Sequence, residues 1–261
     1  MPQIHQDFRT GIELPLSPLE MGQGRVEARD GLNLVVEPTA PGAYSDGQIF
    51  DYHGLRYRRD FLNRPPLRMI VRAKASHDTE SLIGTAGFGF WNQPYLPGSR
   101  SLRLPRAVWF FFASPHSNMA FARDVPGWGW KAATLDASRP PFFALAPGAP
   151  LGFLAMRVPA LYRKLWPLAQ WAIGAAERFL NVLLTDMHTY RLDWLLDRSD
   201  FYVDDQLVFM SPYSPRGPLG FVAWIDNQYA VVTPQGNFRM GFVPLEHQQS
   251  LFIDSLDIET L

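Results

Sequence analysis

A chain of 261 residues, 47% of them hydrophobic, has enough apolar material for one large β domain or two small ones, and we expect a single domain over residues 1–261. The formal net charge of -1 provides no excess of basic residues, so the composition argues against a nucleic-acid partner. The absence of cysteine excludes disulfides, thiolate metal sites and cysteine nucleophiles.

The N-terminal stretch reads MPQIHQDFRTGIELPL. It lacks the basic segment followed by an apolar segment that a secretory signal needs. We therefore expect a cytoplasmic protein.

Strand-length segments rich in β-branched and aromatic residues recur along the chain, bounded by Pro, Gly or Ser. In the first half they are GLNLVVEP from Gly31, RMIVRAKA from Arg68 and RAVWFFFAS from Arg106. In the second half they are TYRLDWLLD, DFYVDDQLVF, GFVAWIDNQYAVV and SLFIDSLDIE. The adjacent pair Asp204 and Asp205 predicts a hairpin turn inside one of them. This spacing is typical of an antiparallel sandwich.

One segment departs from the strand pattern. Residues 159–184, PALYRKLWPLAQWAIGAAERFLNVLL, have helical periodicity, and Pro159 suits the first position of a helix. A narrow polar stripe recurs on this predicted helix at Gln170, Gly174, Glu177 and Asn181. The segment is too short and too often interrupted by charge to span a bilayer, so we expect no transmembrane helix.

The apolar faces of this predicted helix must be buried against another surface. Three alternatives are open: packing over the sandwich, contact with a second subunit in a homodimer, or contact with a membrane surface. The last two would act through residues 159–184.

Three motifs in order resemble those of a known superfamily. MHTYRLDW from Met187, FYVDDQLVF from Phe201 and LFIDSLDIE from Leu251 resemble a strand, a hairpin and the closing strand of the concanavalin A-like lectin/glucanase superfamily. The resemblance is closest to the family 16 glycoside hydrolases of the laminarinase and lichenase type. It implies an all-β fold, a two-sheet antiparallel β-sandwich of the jelly-roll type, with a helical insertion at about 151–184.

The chain departs from that family at the catalytic strand. The family's hydrolases carry an E-I-D-x-x-E strand whose carboxylates project into one cleft for retaining chemistry. The corresponding stretch here, PRAVWFFFASPHSN from Pro105 to Asn118, contains no acidic residue. The usual double-displacement mechanism is therefore not expected.

Aromatic residues supply the first candidates for ligand binding, because flat apolar surfaces hold sugar rings and other ring-shaped ligands. Five tryptophans lie on or beside the predicted central strands: Trp91, Trp109, Trp128, Trp130 and Trp224. The alternative for each is a place in the core of the sandwich.

The stretch WIDNQY is the densest polar cluster inside an apolar strand. It places Asp226, Asn227 and Gln228 between Trp224 and Tyr229, and we predict that these residues bind a ligand. Asp226 is the candidate general base or ligand-orienting carboxylate. A structural hydrogen-bonding role is its alternative.

Further polar candidates lie next to the predicted central strands. His116 and Asn118 follow the strand that lacks acids, and His116 is the second candidate acid/base group. Asn92 and Gln93 follow Trp91 and are candidate ligand contacts.

The sequence predicts no cofactor other than a structural calcium that the resemblance implies. Asp254 matches the closing-strand aspartate that helps to bind calcium in the lectin/glucanase superfamily. Calcium takes six to eight oxygen ligands, many of them backbone carbonyls that a sequence does not reveal.

Three functions follow. The first is binding of a saccharide or another small ring-shaped ligand in a concave aromatic cleft. The second is a divergent enzyme, acting on a glycan or a hydrophobic metabolite, with Asp226 or His116 as acid/base. The third is a structural or membrane-peripheral module that acts through its helix.

Overall fold

The computed structural model describes residues 3–93 and 103–261. In that part of the chain the strands are β1 (Ile4–Gln6), β2 (Ser17–Met21), β3 (Gly24–Ala28), β4 (Leu32–Val36), β5 (Asp46–Phe50), β6 (Leu67–Ala75), β7 (Thr85–Trp91), β8 (Arg106–Ala113), β9 (Gly129–Asp136), β10 (Ala176–Phe179), β11 (His188–Trp194), β12 (Ser199–Val203), β13 (Gln206–Ser211), β14 (Gly220–Asp226), β15 (Gln228–Val232), β16 (Phe238–Phe242) and β17 (Gln249–Thr260). The helices are α1 (Pro140–Leu145), α2 (Ala149–Ala155) and α3 (Pro159–Ala172), with short 3₁₀ turns at Arg58–Asp60 and Ala146–Gly148.

These strands form two large antiparallel sheets. An eight-stranded sheet has the order β13-β12-β11-β6-β17-β4-β3, with β1 paired to β17. A seven-stranded sheet has the order β10-β9-β8-β7-β14-β5-β2, and β15 and β16 form a separate ribbon. The two-sheet antiparallel sandwich predicted from the sequence is confirmed.

Alternation along the strands divides the seven-stranded sheet into two faces. On β8, Val108, Phe110 and Phe112 are fully buried in the core between the sheets. Ala107 and Trp109 point the opposite way, because successive side chains of a strand alternate. We call the side facing away from the core the outer face of this sheet.

Aromatic rings fill the centre of the core. Phe110 of the seven-stranded sheet packs against Tyr190 and Phe201 of the eight-stranded sheet, with ring centroids 5.1 and 5.3 Å apart. Trp130 joins this cluster through Phe110 and Tyr190. The aromatic residues thus contribute both to the core and to the outer face.

The hairpin between β12 and β13 turns at the predicted residues. Asp204 and Asp205 have φ angles of 49° and 63°, which a two-residue turn of the primed type requires. Asp204 accepts hydrogen bonds from Thr189 N, at 2.9 Å, and from the His188 ring, at 2.6 Å. These bonds attach the turn to the neighbouring strand β11.

The helical segment differs from the prediction in both bounds. Helices occupy parts of residues 140–172 instead of 151–184, although α3 does begin at Pro159. The predicted helix ends early because Gly174 takes a φ of 55°, the left-handed conformation that terminates helices. Beyond it β10 pairs with β9, so Glu177 belongs to a strand and not to a helical polar stripe. None of the helices in the described residues is long and apolar enough to cross a membrane.

Candidate ligand-binding site

Four aromatic side chains lie together on the outer face of the seven-stranded sheet. They come from β7, β8 and β14, and we call them the aromatic platform: Trp91, Trp109, Phe111 and Trp224. Trp109 is central, with ring centroids 5.4 Å from Trp224, 5.5 Å from Phe111 and 6.2 Å from Trp91. Three of the four are partly exposed, and Trp224 is 9% exposed.

Two glycines of β7 make room for these rings. A Cβ atom at Gly89 would lie 2.5 Å from the Cβ of Trp109, and one at Gly87 would lie 3.1 Å from the Trp224 ring. Real Cβ contacts are longer than the first of these distances. The platform rings therefore lie over a part of β7 that has no side chains of its own.

A hydrogen-bond chain fixes the Trp224 ring. Its Nε1 donates to Thr85 Oγ1 at 2.9 Å, and Thr85 Oγ1 donates to Asp226 Oδ1 at 2.8 Å. Asp226 Oδ1 also accepts from the backbone N–H groups of Thr85 and Gln228, at 3.1 and 3.0 Å. Asp226 is buried, so it acts on the platform through Thr85.

A second carboxyl group lies beside Asp226. Asp46 of β5 is directly opposite Asp226 in the register of β14, on the same outer face. Tyr44 donates its hydroxyl to Asp226 Oδ2 at 3.4 Å, whereas Asp46 Oδ1 is buried without a hydrogen-bond partner. The sheet thus carries a buried carboxyl pair at one end of the aromatic platform.

Burial changes the acidity of this pair. It raises the pKa of Asp226 to about 6, although hydrogen bonds from Gln228 and Thr85 oppose the shift. Burial, and then the nearby charge of Asp226, raise the pKa of Asp46 well above its usual range. Strongly perturbed carboxyl groups of this kind are common at functional sites.

The opposite end of the platform rests on a small apolar cluster. Trp91 Nε1 donates to the Tyr52 hydroxyl at 3.0 Å, and the Tyr52 ring stacks on Phe61 at 5.1 Å. Phe50 also contacts Tyr52, at 4.6 Å. Trp91 is therefore held by the hydrogen bond of its N–H group and by packing against this cluster.

The outer positions of β8 are apolar. They are occupied by Ala107, Trp109, Phe111 and Ala113, which alternate with the core residues of the strand. The correspondence of this strand to the catalytic strand of the family 16 hydrolases stays a prediction. Its outer positions carry two aromatic rings and two alanines.

Three predicted ligand contacts lie away from the accessible outer face. Trp130 is buried in the core between the sheets, because its position on β9 alternates with the outward-facing ones. Asn92 is 2% exposed, and its side chain accepts from Arg106 N and donates to Leu104 O. Asn227 is fully buried, and its amide bonds Ser45 N, Ala43 O and Val243 O. The Trp130 ring thus packs in the core, and the amides of Asn92 and Asn227 form hydrogen bonds within the protein.

The remaining predicted residues lie in loops and strand ends outside the aromatic platform. His116 and Asn118 are exposed in the loop after β8, and the His116 ring is 3.4 Å from Ser114 Oγ. Gln228 and Tyr229 begin β15, where the Tyr229 ring covers Gly241 of β16. Trp128 directly precedes β9 and Gln93 follows β7 by two residues, and both are partly exposed. The structure brings Trp91, Trp109 and Trp224 together and leaves these six residues outside the platform.

The predicted calcium residue is engaged in an ion pair. Asp254 accepts from Arg72 Nη1 at 2.7 Å, at the bulge between Ile253 and Ser255. Within residues 3–93 and 103–261, no group of three or more His, Asp and Glu side chains is arranged to hold a metal. A calcium site at Asp254 stays a prediction.

Four residues of the site were not predicted from the sequence. Phe111 lies two residues after Trp109, so strand alternation would have placed it on the same face. Asp46, Tyr44 and Thr85 meet Asp226 only through the pairing of β5, β14 and β7. That pairing joins residues about 140 to 180 positions apart in the sequence, so it cannot be predicted from the pattern of neighbouring residues.

Comparison with known proteins supports the fold. The structure superposes on a prokaryotic β-1,3-1,4-glucanase (lichenase) derived from a mouse hindgut metagenome with a TM-score of 0.54 and 11% identity, covering 100% of both chains. It superposes on a structure reported with the endo-acting O-glycanases that human gut microbiota express to initiate mucin breakdown, with a TM-score of 0.56, 11% identity and coverage of 99% and 98%. For a Bacillus licheniformis β-glucanase the values are 0.51, 10%, 99% and 98%.

No family model matches the sequence, and no curated protein gives a significant match. The chain nevertheless has the concanavalin A-like fold of the family 16-type glucanases and lichenases, as the three sequence motifs predicted. At this level of identity the likeness extends to the fold and leaves the activity to be argued from the site.

Proposed function

We propose that the protein binds a saccharide, or another small ring-shaped ligand, on the aromatic platform. The observation that carries this proposal is the contiguity of the rings of Trp91, Trp109 and Trp224 on one sheet face. Aromatic faces hold the apolar faces of sugar rings, and a few polar groups nearby set the orientation. The carbohydrate-related names of proteins with this fold agree with it.

The platform is pre-organised for binding. The indole groups of Trp91 and Trp224 are each held by a hydrogen bond, at 3.0 and 2.9 Å. Trp109 is held between them by ring contacts. Side chains fixed before binding lose little conformational entropy when the ligand arrives, which favours affinity.

The test is calorimetric titration with β-glucan oligosaccharides and other neutral oligosaccharides. It compares the affinity of the wild-type protein with that of the Trp109→Ala variant. Removing the central ring should weaken binding by roughly tenfold or more, as loss of a stacked aromatic contact does. The matched control is Trp171→Ala, because Trp171 is an exposed tryptophan of α3 outside the platform. Equal affinity of Trp109→Ala and the wild type would refute the proposal.

A second candidate function is catalysis by the buried carboxyl pair. Asp226, with a pKa of about 6, lies on the same outer face as the platform, and Asp46 lies opposite it. A carboxyl group that titrates near neutral pH suits general acid/base chemistry. His116 is the alternative acid/base, since it lies two residues beyond Ser114, at the end of β8 that adjoins Thr85.

Measuring the hydrolysis of a bound glycan distinguishes a catalytic function from a binding function. Asp226→Asn should abolish hydrolysis of a bound glycan while changing affinity little, and His116→Ala should do so if the histidine is the catalyst. Trp109→Ala should act mainly on affinity. A protein that binds oligosaccharides and releases no product at any pH between 5 and 8 is not such an enzyme.

Contact with a second subunit or a membrane surface through residues 159–184 stays a prediction. The observation that bears on it is a set of exposed apolar side chains on the helical segment: Leu151, Leu154, Val158, Leu161, Leu168 and Trp171. Sedimentation equilibrium and liposome co-sedimentation of Leu161→Ser and Leu168→Ser variants test it. A wild-type protein that is monomeric and does not sediment with liposomes rules out both the homodimer and the membrane contact.

A further inference from the structure

Six arginines converge on a pocket at the Trp91 end of the platform. They come from the loop after β5, from the start of β8 and from the loop before β14, and we call the site the arginine pocket: Arg56, Arg58, Arg59, Arg103, Arg106 and Arg216. The pocket has a volume of about 750 Å³. Asn92, which directly follows Trp91, is part of its wall, and Arg58 Nε donates to Asn92 O at 2.8 Å.

The positive charge of this pocket is only partly balanced. Arg59 lies 3.7 Å from Asp60, and Arg216 lies 3.4 Å from Asp136. Within the described part of the chain, Arg56, Arg103 and Arg106 form no ion pair. Residues 94–102, PYLPGSRSL, contain no acidic residue and so cannot supply a carboxylate. The chain itself leaves an excess of positive charge in a concave site.

Arg106, a residue of the pocket wall, has one side-chain donor without an acceptor in the residues that the structure describes. Its Nε is buried and has no hydrogen-bond partner among residues 3–93 and 103–261, whereas its Nη1 donates to Arg216 O. Burial lowers the pKa of Arg106. The negative charge of Asp136 opposes this shift, and the positive charges of Arg216 and Arg103 add to it. A buried donor without an acceptor costs free energy, so the protein maintains this guanidinium group in the pocket wall at a cost.

We propose that the arginine pocket binds a sulfate or phosphate group, either as the free ion or as an ester on a larger ligand. Guanidinium groups match the oxygens of such groups and form charge-assisted hydrogen bonds with them. Arginines from three separate segments line the pocket, and a tetrahedral anion has enough oxygens to accept from several guanidinium groups at once. A carboxylate has two oxygens and one charge, so it satisfies fewer of these donors.

Calorimetric titration at low ionic strength tests the proposal and separates the two sources of the anion. The probes are sodium sulfate, sodium phosphate, glucose 6-sulfate and glucose 6-phosphate, with glucose and glucuronate as neutral and carboxylate comparisons. Binding of the free ions and the esters with similar affinity assigns the site to the ion. Tighter binding of the esters assigns it to an esterified ligand. Binding of none of the four, or stronger binding of glucuronate, would overturn the proposal.

The variants are Arg56→Gln and Arg103→Gln, because both side chains are exposed and their loss should leave the fold intact. Each should weaken binding of the best sulfate or phosphate probe by about tenfold, the effect of one charge-assisted hydrogen bond. Arg239→Gln is the matched control, since Arg239 is exposed on β16 outside the pocket. Unchanged affinity in both pocket variants contradicts the proposal.

This inference is independent of neutral-saccharide binding by the platform. Trp109→Ala should leave the affinity for sodium sulfate and sodium phosphate unchanged, since Trp109 is not part of the pocket wall. Arg103→Gln should leave the affinity for neutral oligosaccharides unchanged. Failure of one proposal is thereby distinguishable from failure of the other.

Discussion

Asp226 and Trp224 lie two residues apart on the outer face of β14, and Thr85 of the neighbouring strand joins them through its hydroxyl group. The hydroxyl accepts from the indole N–H and donates to the carboxylate, so both of its hydrogen-bonding functions are used. A buried carboxyl group thereby orients a ring of the aromatic platform. Asp226 thus forms structural hydrogen bonds, and its use as an acid/base catalyst is a separate proposal.

The first prediction concerns this link. Thr85→Val keeps the shape of the side chain and removes both hydrogen bonds, which should lower the free energy of unfolding by about 1–3 kcal/mol. It should also shift the Trp224 indole N–H resonance and weaken saccharide binding. Nitrogen-15 labelling of the tryptophans and urea unfolding measure the two effects.

Thr134→Val is the matched control, because Thr134 is buried and its hydroxyl lies 2.6 Å from that of Ser211, away from the platform. It should lower stability without moving the Trp224 resonance. An unmoved resonance in Thr85→Val contradicts the assigned role of Thr85.

The second prediction concerns pH. Burial raises the pKa values of Asp46 and Asp226, and that of Asp51 to about 7. The folded protein thus retains protons that the unfolded chain releases near pH 4. These retained protons stabilise the folded state fully below about pH 4. This stabilisation is lost as the pH rises through the pKa values that the three groups have in the folded protein. The free energy of unfolding should therefore fall between about pH 4 and pH 7.

Asp46→Asn removes one of these groups and should make the fall smaller, measured by urea unfolding at pH 5 and pH 8. Asp197→Asn is the control, because its side chain is 77% exposed and should not change the slope. A slope that is the same in Asp46→Asn and the wild type argues against the raised pKa of Asp46.

The third prediction concerns the glycine beneath the platform. Gly89→Ala would place a Cβ 2.5 Å from Trp109 Cβ and from Val108 O, so the strand or the ring must move. We expect a loss of about 1–3 kcal/mol in stability and weaker saccharide binding. Gly148→Ala, where nothing lies within 4 Å of the added Cβ, should change neither property. Thermal unfolding and calorimetry measure the pair, and full affinity in Gly89→Ala would show that the platform tolerates the methyl group.

The fourth prediction concerns a buried ion pair at the sheet edge. Lys131 Nζ lies 3.1 Å from Glu177 Oε2, with side chains 2% and 1% exposed. Glu177 Oε1 also accepts from Phe121 N and Ala122 N, which attaches the loop before β9 to β10. Lys131→Met should destabilise the fold by about 3–5 kcal/mol, because it leaves a buried carboxylate without its partner.

The double variant Lys131→Met/Glu177→Gln is the control for that experiment. It removes both charges and retains a side-chain oxygen for the loop N–H groups, so it should recover much of the lost stability. Urea unfolding of the two variants gives the comparison. A double variant less stable than Lys131→Met would show that the pair is not held together by its charges.

Local patterns predicted much of the fold. The motifs around His188, Phe201 and Leu251 indicated the sandwich, and the Asp204–Asp205 pair indicated the turn, because strand alternation and turn chemistry are properties of neighbouring residues. The helix prediction failed after Ala172. Helical spacing of polar residues continues to Asn181, yet Gly174 ends the helix and Glu177 pairs with Lys131 on another strand.

The sequence by itself determined the sandwich class, the motif order and the abundance of tryptophan on the central strands. The tertiary structure decided that Trp109 lies on the outer face and Trp130 in the core, because alternation defines two faces and the second sheet decides which one is covered. It also brought Asp46 to Asp226 and gathered six arginines from three segments into one pocket. Such contacts form between residues far apart in sequence, and chain folding alone places them together.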